Sequence, residues 1–129
     1  MIAVDTSALM AILQEEAEAE AFLRAMASPD RVLIGAPTVF EFELVVSRQK
    51  GEDFLPSAWR LLHLPTIEVV PWTQAHAVLA ANALGRFSGR PARLNYGDCM
   101  AYAVAALAEC PLLFKGNDFR QTDIDSALD

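Results

Sequence analysis

The sequence predicts an α/β fold, a three-layer α/β/α sandwich around a mostly parallel central sheet. Three observations carry this. Short apolar runs of strand length alternate with longer helical patterns along the chain. No two runs are joined by a turn of the Asn-Gly kind, so hairpins are not expected. Hydrophobic residues make up 53% of the 129 residues, enough to fill one core, and that length suits a single domain, 1–129.

The elements follow in order. Residues 2–4, Ile-Ala-Val, read as a buried strand ending at Asp5, with Thr6 or Ser7 as cap of the next helix. That helix is expected to run through the acidic stretch 15–20, a solvated face of high helix propensity, and on past Phe22, Leu23 and Met26. Ser28-Pro29-Asp30 breaks it, and residues 32–35 form a second strand. Pro37 suits the first turn of a helix that is apolar through Val46 and ends at Gly51. Residues 53–64 are amphipathic and close at Pro65. A third strand spans 67–70, a helix runs from Thr73 to about Leu84, and 85–97 is a Gly/Pro/Arg-rich connection. An alanine-rich helix over 98–109 precedes a fourth strand at 112–114, and the segment around Asp123 and Asp125 is expected to add a short fifth strand.

Composition excludes several function classes. The net charge of −7, from 10 Lys+Arg against 17 Asp+Glu, argues against binding nucleic acid through bulk positive charge. Two cysteines, Cys99 and Cys110, and two histidines, His63 and His76, give no zinc-type spacing. The N-terminus lacks a basic n-region, and the apolar stretch 100–107 is too short to span a bilayer. A reduced, cytoplasmic protein with both cysteines as small core residues is expected.

The informative residues are acids in apolar surroundings. Asp5 and Asp118 lie beyond the carboxyl ends of predicted strands, where ligands gather in open α/β sheets. Capping is the competing role for Asp5, and a turn for Asp118. Glu41 and Glu43 lie on a helix that is apolar on nearly every face, and about 200° separates them, so only one can face a given site. The alternative sends one to solvent and pairs the other with Arg48 or another base. Asp98 opens a helix, with Asn95 three residues earlier in a capping-box arrangement. Carboxylates gathered at one sheet edge repel one another unless a cation intervenes. With oxygen donors alone, that cation is Mg²⁺ or Mn²⁺, the metal chemistry of phosphodiester cleavage.

At these residues the chain resembles the PIN-domain ribonucleases, specifically the VapC-type toxins of type II toxin–antitoxin modules. The resemblance covers the chain in order: Met-Ile-Ala-Val-Asp-Thr-Ser-Ala-Leu at 1–9, Ala-Pro-Thr-Val-Phe-Glu at 36–41, Leu-Asn-Tyr-Gly-Asp-Cys at 94–99 and Leu-Leu-Phe-Lys-Gly-Asn-Asp-Phe at 112–119. It implies that Asp5, Glu41, Asp98 and Asp118 are the catalytic, metal-binding acids, and it assigns the glutamate role to Glu41 over Glu43. Many relatives carry a second acid where this chain has Asn117. It further implies a Mg²⁺-dependent endoribonuclease, a homodimer and a VapB-like antitoxin. Asp5 and Asp98 are expected to hold the ion directly, with Thr6 or Ser7 orienting Asp5, Asn95 steadying Asp98 and Asn117 beside Asp118.

Local charge answers the acidic balance. Arg86, Arg90 and Arg93 lie in an acid-free stretch before Asn95, and Lys115 flanks the last motif, so all four are expected phosphate contacts. Arg120 lies beside the same motif. Tyr96 and Trp72 are expected in the core, with base stacking as the alternative. Two other classes stay open: a non-catalytic protein-binding module whose acids are caps and ion pairs, and a metal-dependent nuclease acting on DNA.

Overall fold

The computed structural model describes residues 1–128. In chain order the elements are β1 (Ile2–Val4), α1 (Thr6–Leu13), α2 (Ala19–Ala27), β2 (Val32–Gly35), α3 (Ala36–Lys50), α4 (Leu55–Leu62), β3 (Ile67–Val70), α5 (Gln74–Phe87), α6 (Tyr96–Ala108) and β4 (Leu112–Leu113). The strands form one parallel sheet in the order β3-β2-β1-β4, so the first strand is central.

Strand alternation divides the core into two layers. Ile2, Val4, Val32, Ile34 and Leu113 face the side covered by α1, α2, α3 and α4. Ala3, Leu33 and Leu112 face the other side, against Tyr102, Val104 and Ala105 of α6 and Ala83 of α5. The small residues of α6 bring it close to the sheet, and Gly35 assists: a Cβ there would stand 2.9 Å from Val104 Cγ2. Cys99 and Cys110 are free and buried, as composition suggests. Among the described residues no helix is long and apolar enough to cross a membrane.

The structure departs from expectation in four places. The first helix is two: α1 stops at Leu13, Glu15 takes a left-handed φ of 53°, and α2 starts at Ala19. A continuous helix would stack Glu16 over Glu20 as like charges, whereas the break lets Glu16 and Glu18 both reach Lys115 Nζ, at 2.8 and 3.5 Å. Asp5 itself, not Thr6 or Ser7, caps α1. Helix α5 continues three residues past Leu84, and α6 begins two residues before Asp98. Among the described residues the C-terminal segment adds no fifth strand, only a parallel bridge between Leu112 and Ser126. Both of its flanking bonds go to Leu112, which donates to Asp125 O and accepts from Ala127 N, each at 2.9 Å.

Candidate active site

The parallel sheet sends β1 and β4 out at the same edge, where α1, α3 and α6 begin. Asp5 follows β1 directly, and its backbone N–H donates to Leu113 O of β4 at 2.9 Å. Its side chain is buried and accepts the Ser7 N–H at 3.0 Å, so it caps α1 with Oδ2. Capping and site membership therefore coexist in one carboxyl group. Burial pushes its pKa up to about 7 against the relief of the Ser7 bonds, and the charges of Asp98 and Glu41 push the same way.

Glu41 extends from the second turn of α3. Thr6 Oγ1 donates to its Oε1 at 2.6 Å. The rest of the carboxylate lies over Gly97 in the first turn of α6, where an added Cβ would fall inside it. Neither helical glutamate pairs with Arg48: Glu43 instead accepts from Trp59 Nε1 at 2.7 Å. The helical offset thus turns the two to different neighbours, and Glu41 is the one aimed at the acids.

Asp98 closes the predicted capping box. Its N–H donates to Asn95 Oδ1 at 2.8 Å, and its Oδ2 accepts from Asn95 N at 3.0 Å. Burial is the main cause of its raised pKa, with the charges of Asp118 and Glu41 adding to it. Asp118, exposed in the loop after β4, is thereby brought to bear on Asp98. Asn117 is exposed beside it. Ser7 Oγ accepts the Lys115 N–H at 3.0 Å, tying that loop to the turn that caps Asp5.

The basic residues are placed unequally. Lys115 is held by Glu16 and Glu18, and Arg86 Nη2 lies 3.2 Å from Asp123 Oδ2. Asp123 also accepts from Tyr102 Oη at 2.7 Å. Arg90 and Arg93 are exposed on the connection before Asn95 and make no ion pair among the described residues. Tyr96 corrects an expectation: it is 80% exposed, because the first turn of α6 projects it outward. Trp72 is half-buried against His76, which is buried and caps α5 with Thr73. Sequence reasoning also missed Gly97, whose signal was a glycine just inside a helix that a capping box starts.

The donor set can be tested against a hard cation. Asp5, Glu41 and Asp98 offer oxygen only, and the adjacent Cys99 thiol is buried and held protonated by burial and by Asp98. Among the described residues no group of three or more His, Cys, Asp or Glu side chains is disposed to hold an ion. All-oxygen donors suit a hard cation such as Mg²⁺, which binds through one or two carboxylates and keeps its waters. Each acid already has a donor that fixes its direction: the Ser7 N–H, the Thr6 hydroxyl or the Asn95 N–H.

Comparison with known proteins identifies the family. The PIN-domain family model matches residues 2–125. Ribonuclease VapC28 of Mycobacterium tuberculosis is 40% identical over 129 residues, covering 98% of this chain and 97% of that protein. Ribonuclease VapC30 of the same species is 38% identical over 94% of each chain. Two solved structures share the fold. Mycobacterium tuberculosis VapC20, a sarcin-ricin loop cleaving toxin, superposes with a TM-score of 0.79 at 20% identity, covering 96% of both chains. VapBC2 of Rickettsia felis, bound to a DNA fragment from its promoter, superposes with a TM-score of 0.74 at 15% identity, covering 98% of this chain and 96% of that one. With a matching domain model across nearly its whole length and full-length relatives near 40% identity, this chain belongs to the PIN-domain family, among its VapC-type members.

Proposed function

We propose that the chain is the toxin of a type II toxin–antitoxin module, a cytoplasmic Mg²⁺-dependent endoribonuclease that hydrolyses RNA phosphodiester bonds and is restrained by a VapB-like antitoxin. Full-length relatives named VapC ribonucleases support the reaction class. Relatives solved as a toxin–antitoxin complex from Klebsiella pneumoniae and as VapBC2 support the partner. The observation that carries the reading is the gathering of acids around Asp5: its carboxyl is buried where β1 ends, Glu41 is held by Thr6 over the first turn of α6, and Asp98 sits in that turn, so burial and the charges of Asp98 and Glu41 push the Asp5 pKa up to about 7. Such a group, although it caps α1, is a good ligand for a cation that removes the conflict.

In this reading Asp5 and Asp98 would hold the ion, with Mn²⁺ able to substitute, and Glu41 and Asp118 would complete the site through water or a second ion. Held by these acids, a divalent cation would supply positive charge against the phosphodiester and would acidify a bound water. The chain's own contribution is orientation. Thr6 holds Glu41 against Gly97, and Asn95 fixes Asp98 through the capping box. The Ser7 N–H fixes Asp5. Arg90 and Arg93 meet phosphates beside the acids. The chain acts as a homodimer, with exposed Phe54 and Trp59 among the apolar candidates for the contact.

The test is cleavage of matched RNA and DNA oligonucleotides with Mg²⁺ titrated in. RNA is expected to be cut and DNA spared. Asp5→Asn and Asp98→Asn are each expected to lower cleavage about a hundredfold or more, with unchanged circular dichroism. Undiminished activity in both folded variants overturns the assignment.

A further inference from the structure

An apolar groove of about 570 Å³ runs between α5 and α6, bordered by Pro37, Trp72, Ala80, Leu84, Tyr96 and Met100. It shares a turn of chain with the acids. Tyr96 lies between Asn95, which holds Asp98, and Gly97, which carries Glu41. The capping box fixes the backbone at this point, so the exposed ring is mounted on a rigid support, and a tyrosine has few rotamers to lose on binding.

The charge distribution says what such a surface is for. A ribonuclease must hold a polyanion, yet this chain carries −7. Two of its four predicted phosphate contacts, Lys115 and Arg86, are engaged by Glu16 and Asp123. Contacts that do not depend on charge would complement the few cations left outside ion pairs among the described residues. Stacking of bases on aromatic rings is such a contact, and it tolerates any base because every base has a π-face. A strand whose phosphate lies at Asp5 and Asp98 brings a neighbouring nucleotide to the next feature on the same turn, which is this groove.

We infer that the groove between α5 and α6 is a nucleobase subsite in which Tyr96 stacks a base flanking the cleaved phosphate of the RNA. The inference rests on the nuclease reading and names how that site grips its substrate. Tyr96 is a binding residue here, and the acids keep their roles without it.

The experiment compares steady-state RNA cleavage by the full chain and by Tyr96→Phe, Tyr96→Leu and Tyr96→Ala. A series of oligonucleotides with one abasic position moved along the strand is cut by the same proteins. Tyr96→Ala is expected to raise KM about tenfold, within the range of one lost stack, with kcat within about twofold. Tyr96→Phe keeps the wild-type KM, and Tyr96→Leu, similar in bulk without a π-face, behaves like Ala. One abasic position reproduces the KM rise in the wild type and adds nothing in Tyr96→Ala. Leu rescuing as well as Phe, or no abasic position showing non-additivity, overturns the subsite. A KM that follows protein concentration together with a shift in sedimentation overturns it in favour of a contact between copies. An unchanged KM with weakened capture of an apolar peptide overturns it in favour of a protein partner. Wild type that cuts no RNA with Mg²⁺ removes the nuclease reading and the subsite with it, whereas cleavage indifferent to Tyr96 removes the subsite alone.

Discussion

At the scale of single residues, Asp5 joins two demands on one carboxyl group. It ends the central strand and caps α1 through Ser7, and burial with two neighbouring charges resists its ionisation. The consequence for stability has a definite sign. The folded state keeps this proton well above the ordinary 3.8, up to about 7, so folding is favoured when the acid is neutral and opposed as pH rises through that window. Asp98 shifts in the same direction. A rise from 3.8 to about 7 corresponds to roughly 4 kcal/mol at full ionisation. Chelator-treated protein is therefore expected to lose thermal stability between about pH 4 and pH 7 and to level off above. Asp5→Asn, which keeps a good cap, flattens that slope, and Mg²⁺ at pH 8 restores the wild type by binding the folded state. Thermal melts of both proteins with and without Mg²⁺ check it, and an identical slope in Asp5→Asn refutes the assignment of the effect to this carboxyl.

At the scale of elements, the first turn of α6 organises the site, and Gly97 shows how closely. Alanine inside a helix ordinarily improves on glycine by about 1 kcal/mol. Here the added methyl falls inside the Glu41 carboxylate, the far end of a flexible side chain that swings aside at the cost of its bond to Thr6. Lost bond and gained propensity nearly offset each other, so Gly97→Ala is expected to change stability by less than about 1 kcal/mol in urea unfolding while displacing Glu41 and lowering cleavage. In a Glu41→Ala background the same change becomes stabilising, and an additive cycle contradicts the contact. Local patterns made most elements legible in advance. The run at 67–70 is β3 as read, and Gly51 stops α3. What local patterns could not supply was tertiary. The acidic run reads as helical, whereas the chain breaks at Glu15 and two of its glutamates meet Lys115, about a hundred residues away. Local pattern makes Thr6 or Ser7 the expected cap of α1 and Asp5 a competitor, and Asp5 takes the cap because the two hydroxyls serve Glu41 and the loop after β4.

At the scale of the whole molecule, the acids were legible because a carboxylate in an apolar context needs a reason, and the parallel order of the strands gathers those reasons at one edge. The basic residues were not, because a solvated arginine and one held in an ion pair look alike in sequence. Arg86 serves a clamp in which Asp123 is shared with Tyr102, securing the C-terminal segment against α6. Lys115 secures the α1–α2 turn. Of the four predicted contacts, Arg90 and Arg93 remain outside ion pairs among the described residues. Two phosphate contacts on single-stranded RNA release few counterions, so the slope of log affinity against log salt is expected near −1.4. A basic nuclease with six to ten contacts would be far steeper. Replacing Arg90 and Arg93 together is expected to bring the slope close to zero, whereas Lys115→Ala leaves it unchanged because that lysine's charge is already engaged by Glu16 and Glu18. Binding measured across a salt series with Asp98→Asn, which retains the RNA uncut, decides this. A slope steeper than about −3 in the wild type, or one that falls in Lys115→Ala, shows that the substrate displaces the glutamates and recruits the lysine.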